Sequence, residues 1–296
     1  MKTKTLGTLS SIGLLMLAAI VISLSGCATK KAAWGSVKKG MNMKYDAQLD
    51  KELSYNSTSE FTQSMKVMEQ EFDIIAENGQ VLNFMPLASK DNDLEYVVTI
   101  GEMTSVIETP RGTMEADLED VIGKSFNFTM SKFGIELEFS GAEEITYNYG
   151  MGESKSISSD IQAFFPDLPG HPVKPGDSWE SIDDIVEETG DNKVSMQFNN
   201  IHTFEKLEEF NGYECMKVNV VFTGTVNGKS FQDDMELITT GELSGTSTWY
   251  YAYKEGLLVS NVVDGKGKTV TKVLGPQEME IPAERVYTMK TELIGL

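Results

Sequence analysis

The sequence predicts a mainly β protein: a meander of antiparallel strands joined by tight turns, with one or two short helices. Three observations carry this reading. Apolar residues recur at every second position, as at Met216, Val218, Val220 and Phe222, which is the period of a strand with one buried face. Turn-forming pairs punctuate such runs at Asn78-Gly79, Asn211-Gly212 and Asn227-Gly228, and both residue types tolerate the positive φ of a two-residue hairpin loop. Helical periodicity is scarce.

The chain opens on a leader. Lys2 and Lys4 precede an uncharged run from Leu6 to Leu24, which ends in Leu24-Ser25-Gly26-Cys27. A positive start, an apolar stretch and small residues at the end are the parts of a secretion signal. The run approaches the length of a spanning helix, but its small-small-Cys ending resembles the lipobox of bacterial lipoproteins. That resemblance implies that the Cys27 thiol receives a diacylglyceryl group, that cleavage occurs before it, and that the new amine is acylated. Residues 1–26 are then the signal peptide. Residues 27–39, basic and weakly patterned, are a tether whose lysines can lie against lipid headgroups.

An N-terminal β-rich unit is expected over residues 40–157. Met41 to Leu49 alternates, and the runs around Phe72 and Val81 flank Asn78-Gly79, which reads as a hairpin. Thr113 to Ile122 places Met114, Leu118, Val121 and Ile122 on one helical face, with Thr113 to cap and Gly123 to terminate. Ser158 to Phe165 is a second short helix, ended by Pro166. Four of the chain's eight prolines fall between Pro166 and Pro175, so residues 158–175 are a helix and a rigid connector between halves. A C-terminal β-rich unit follows over 176–296, with further turns at Lys254-Glu255-Gly256 and Asp264-Gly265-Lys266-Gly267. Gly123, Ser125, Lys132 and Gly134 recur without gaps as Gly245, Ser247, Lys254 and Gly256, consistent with two units of similar plan or with repeated turn chemistry alone.

Composition narrows the partners. The leader carries two lysines and no acids, so its removal takes the formal charge from −20 to −22. A body this acidic repels nucleic acid and anionic membrane surfaces. With Cys27 committed to lipid, Cys215 stands alone and forms no intramolecular disulfide; in a strand-like run it reads as a small buried residue.

Chemistry is hard to find. The histidines, His171 and His202, belong to no motif, and no His/Cys cluster or phosphate-binding Gly-rich loop occurs. The acid pairs Glu143-Glu144, Asp183-Asp184, Glu187-Glu188 and Asp233-Asp234 are formal candidates for acid–base work and read first as solvated turns or edges. The run from Asp183 to Asp191 is oxygen-rich but lacks EF-hand spacing. No metal site and no cofactor are expected.

From Phe165 to Trp179 the chain reads Leu168-Pro169, then Pro172-Val173, then Gly176-Asp177 and Trp179. This pattern resembles a family of Bacteroidota lipoproteins of unknown function, and Gly123, Phe126, Phe128, Gly134, Phe139 and Gly141 match the same family's pattern. More remotely, the hairpin from Trp249 to Val259 is similar to those of lipoprotein-localisation carriers and LppX-type lipoproteins. The resemblance implies curved antiparallel sheets forming one or two half-barrel units over an apolar cavity. It implies no reaction.

The leading expectation is a lipid-anchored, non-catalytic module that binds a lipid or other hydrophobic ligand, with methionines such as Met41, Met43, Met65, Met68, Met103, Met196 and Met216 fitting an irregular apolar guest. The alternatives are a structural or protein-interaction module of the outer membrane and a glycan hydrolase using paired carboxylates. Ala28 rather than Asp after Cys27, and Lys30-Lys31 in place of an acidic run, match the family patterns for the outer membrane facing the periplasm.

Overall fold

The computed structural model describes residues 34–49, 51–67, 70–87, 93–150, 153–232, 235–275 and 278–296. The leader, Cys27, Met68 and Asp233-Asp234 lie outside the described residues. The strands are β1 (Gly35–Ser36), β2 (Gly40–Met41), β3 (Leu53–Val67), β4 (Gln70–Pro86), β5 (Asp93–Thr109), β6 (Gly112–Glu115), β7 (Ser125–Ser131), β8 (Glu136–Glu138), β9 (Thr146–Gly150) and β10 (Glu153–Ser156), then, after a one-turn helix α1 (Ser158–Ile161), β11 (Ser178–Thr189), β12 (Asn192–Phe210), β13 (Tyr213–Gln232), β14 (Met235–Ala252), β15 (Leu257–Leu274) and β16 (Met279–Gly295). The molecule is mainly β, and every strand pairing is antiparallel.

Twelve strands form one sheet in the order β11-β12-β13-β14-β15-β16-β3-β4-β5-β7-β8, with β6 beside β5. The segments before and after the connector supply its two halves, joined where β16 pairs with β3 from Ala283–Met65 to Gly295–Ser54. The sheet does not close on itself. Its edges are β11 and β8, and residues 162–168 run between them.

Cross-strand pairing fixes one inner face. Tyr55, Leu82, Ile100, Val218 and Trp249 share it, all at 2% exposure or less. At this end the face is covered by residues 41–47, by α1 and by the connector, which together make one core. Aromatic rings dominate that core. Phe164 and Phe165 meet Tyr55 and Phe84 with centroids 5.4–5.7 Å apart. Hydroxyls and one indole tie the cover to the sheet: Tyr45 Oη donates to the Pro166 carbonyl at 2.9 Å, Trp179 Nε1 to the Asp167 carbonyl at 3.0 Å, and Tyr251 Oη to the Lys44 carbonyl. These donors satisfy backbone groups that the irregular segments leave unpaired.

Several turn expectations are corrected. Asn211-Gly212 is a hairpin turn, with φ of 48° and 82°. Asn78-Gly79, by contrast, lies in the middle of β4, paired with Ser59 and Thr58, and Asn227-Gly228 lies in the middle of β13. Asp264 to Gly267 sits inside β15 in the same way. Here glycine marks close approach of side chains rather than reversal. Gly265 takes the Tyr287 ring across its face, and a Cβ on Gly245 would stand 2.5 Å from Phe222 Cζ and 2.8 Å from the Gly265 Cα. Bulky neighbours lie flat over these positions and fill the inner surface.

The helix expected over Thr113–Ile122 does not form. Residues 112–115 pair with β5 as β6, and a single turn follows in which Leu118 accepts from Val121 at 3.0 Å. Sheet pairing overrides the weak helical pattern. The second expected helix is one turn long, stopped by Ala163 at φ 57° before Pro166 is reached. The internal repeat shares its turn and bulge: Gly134 and Gly256 both have positive φ, and the return strand bulges after each. The burial phase differs, with Phe126, Phe128 and Met130 buried in β7 but Trp249 and Tyr251 in β14.

Gly245→Ala should destabilise the protein by about 2–3 kcal/mol, because both a ring and backbone must yield. Gly170→Ala, where a Cβ meets nothing within 4 Å, should stay within about 0.5 kcal/mol. Urea denaturation of the two variants checks the difference.

Candidate functional site

Three regions are candidates for a ligand. The first is a 270 Å³ cleft between the sheet edges, lined by Ile135, Glu136 and Phe139 on one side, Ile182, Asp183 and Asp184 on the other, and Gln162, Ala163 and Asp167 between. β8 and β11, remote in the strand order, therefore meet one hollow. Leu168 N donates to the Phe133 carbonyl at 2.7 Å, docking the connector against the β7–β8 turn. On the β11 side the Gln162 amide behaves as a strand partner: it donates to the Val186 carbonyl at 2.9 Å and accepts from Val186 N at 2.7 Å.

The cleft is acidic and its carboxyls hold protons strongly. Burial pushes Glu136 up to about 8, with Asp167 and Asp183 adding to the effect against backbone N–H groups that oppose it. Burial and then the Asp183 charge push Asp167 up to about 7. Asp183 is raised chiefly by burial, although Asn200 Nδ2 donates to it at 2.7 Å. All three shift the same way. All three are raised mainly by burial, Glu136 the furthest where a value is resolved.

Asn200 also donates to Ser181 Oγ at 3.2 Å, and Ser181 Oγ bonds His202 Nε2 at 2.9 Å. His202 is stacked on Trp179 at 5.1 Å, and burial lowers it to about 4, so it is a neutral ring in the core wall. Its other ring nitrogen and the Trp249 indole N–H are buried without a partner among the described residues.

The second region is the rest of the inner face. Beyond the core, the face that begins with Tyr55 and Leu82 continues through Phe61, Met65, Phe72 and Ile74, and on the other half through Val194, Met196, Phe198 and Ile281. These side chains are half-buried and belong to no core cluster. The opposite face is mixed: Lys268 pairs with Glu284 at 2.6 Å and Lys229 with Glu236 at 2.8 Å, while Ile182, Ile201, Val221 and Val286 are exposed there. A third hollow of 540 Å³ at the β11–β12 hairpin is open and polar, with Glu188, Asp191, Lys193 and Lys229 among its lining.

The residues singled out in the sequence scatter. Glu143 and Glu144 are exposed in a turn, and His171 is exposed in the connector. Asp183 and Asp184, like Glu187 and Glu188, are strand neighbours and point to opposite faces, so the run to Asp191 cannot converge on one ion. Among the described residues, no group of three His, Cys, Asp or Glu side chains is placed to hold a metal. Cys215 is buried, and burial followed by Glu255 pushes its thiol up to about 12. Neither Glu136 nor Asp167 stands out in the sequence, since only the meeting of the two edges brings them together. Of the methionines, Met41, Met43, Met103, Met130 and Met216 are packed in the core, while Met65 and Met196 lie on the inner face outside it.

No family model matches the chain, and no curated protein does. Among solved structures it is similar to OccK5 (OpdH) of Pseudomonas aeruginosa, at 7% identity and TM-score 0.26 over 84% of this chain and 100% of that one. It is also similar to the outer membrane protein OprD of the same organism (6%, TM-score 0.22, 87% and 98% covered) and to an outer membrane channel of Pseudomonas putida F1 (10%, TM-score 0.20, 88% and 98%). These scores lie far below a shared fold.

The raised carboxyls set a pH dependence. Each binds a proton in the folded state at a pH where the unfolded chain has released it, so their contribution to stability is present at low pH and lost as pH rises toward 8. The depressed His202 acts oppositely, but only as pH falls below about 6.5. Melting temperature should therefore rise from pH 8 to pH 6.5. Glu136→Gln should raise stability at pH 8 by on the order of a few kcal/mol and flatten that slope; thermal melts at the two pH values read both effects.

Proposed function

We propose that this chain is a lipid-anchored envelope protein whose sheet works as a half-barrel, holding a lipid or another apolar ligand on the part of its inner face outside the core. The observation that carries this reading is two apolar groups on the inner face, Val194 and Met196 on β12 and Ile281, Met65, Phe72 and Ile74 on β16, β3 and β4, half-buried yet outside the core. Half-buried apolar side chains on a sheet face favour an apolar guest, since each methylene taken from water contributes about 0.8 kcal/mol. Unbranched methionine adapts to guests of irregular shape. No bond to the ligand is made or broken, and no cofactor is called for.

Cys27 supplies the anchor in this reading, residues 27–39 the tether, and the outer membrane facing the periplasm the location. A second reading, an interaction module of that membrane, draws support from the unpaired outer edge of β11.

Two outcomes follow. Met196→Glu and Phe72→Glu, both on the inner face outside the core, should each weaken binding of a fluorescent fatty-acid probe at least tenfold while leaving the far-UV circular dichroism unchanged; an unaltered affinity in both would remove the inner face as the site. Cys27→Ser should abolish incorporation of labelled palmitate and leave the chain without its acyl anchor. Palmitate retained in that variant would refute the anchor.

A further inference from the structure

The edge strand β11 has a backbone that is chemically unfinished where it borders the cleft. In an antiparallel ladder alternate residues turn both their N–H and C=O to the same side. Val186 turns its pair away from β12, because both groups engage Gln162. Ile182 and Asp184 share that parity, so their N–H and C=O groups also leave the sheet. Both residues line the 270 Å³ cleft. Among the described residues, no hydrogen bond reaches those outward backbone groups. Lower on the edge, the Trp179 indole is tied to Asp167 at 3.0 Å; higher up, Gln162 fills the Val186 rung. The open stretch is thus short and framed.

We propose that this stretch of β11 receives one short extended segment of a basic protein partner, added along the open backbone of Ile182 and Asp184. Strand addition supplies main-chain hydrogen bonds, and flanking pockets select the side chains. Side chains of an added strand would alternate between the two faces of the sheet. On one face they meet Glu136, Asp167 and Asp183; on the other they meet Asp184. No cation offsets these acids within the cleft lining. Lysine or arginine at alternate positions would meet that need. The acids also bar a second copy of this chain, whose own β11 carries Glu180, Asp183, Asp184, Glu187 and Glu188.

The test uses the folded protein and four probes read by competition against a fluorescent peptide. The parent probe is a blocked pentapeptide alternating lysine and valine. The others are the same peptide N-methylated at alternate amides, its glutamate counterpart, and spermidine. The parent should bind, N-methylation should weaken it at least tenfold, and the glutamate peptide should not compete. Hydrogen exchange on the wild-type protein should show the Ile182 and Asp184 amides protected by the parent peptide. Ile182→Pro removes one outward donor without touching the ladder to β12, and should weaken binding tenfold. Equal binding of the methylated peptide or equal competition by spermidine would overturn the proposal in favour of charge attraction alone. No binding by the parent would overturn it outright, and unchanged exchange at Ile182 and Asp184 would do the same even if Ile182→Pro failed to fold.

Discussion

Phe164 and Phe165 enter the sheet side by side from the connector, their rings 5.0 Å apart, and contact strands from near the middle of a sheet whose edges they also separate. Phe165 alone meets Tyr45, Tyr55, Phe84 and Phe128. Each aromatic pair contributes about 0.5–1.5 kcal/mol beyond the area it buries, and truncating such a ring to alanine costs about 3–5 kcal/mol. The wedge covers one end of the inner face and keeps β8 from pairing with β11. The closed core, the acidic gap and the remainder of the face outside the core all follow from where these two rings sit.

That division explains the electrostatics. The connector brings Asp167 beside Glu136 and Asp183 because Leu168 docks on the β7–β8 turn and Trp179 holds the Asp167 carbonyl. Three carboxyls are then withdrawn from water with no cation among them. Their raised affinity for protons is a consequence of geometry, as is the availability of the β11 edge next to them.

The strand content was legible because alternation is a direct imprint of a face that is buried on one side: Met216, Val218, Val220 and Phe222 are all buried. The turn at Asn211-Gly212 was legible for the same kind of local reason. Asn78-Gly79 and Asn227-Gly228 misled because the dipeptide does not distinguish a residue that reverses the chain from one that sits inside a strand against a cross-strand side chain. Thr113 to Ile122 misled because four residues of it complete a ladder with β5, an effect that depends on sequence far away. Nothing local marks Glu136 or Asp167, since their proximity arises only when two edges separated by most of the sheet come to one gap. The inner face outside the core was visible as apolar positions but not as half-buried ones, because alternation does not say how much of a face is covered.

The central claim is that the inner face outside the core holds an apolar guest. Native mass spectrometry of the body, produced in the envelope without its own acyl anchor, tests this most directly. The account predicts a bound mass that solvent extraction identifies as a hydrophobic molecule and that Met196→Glu removes. A protein that carries no such mass, with or without that substitution, would contradict it.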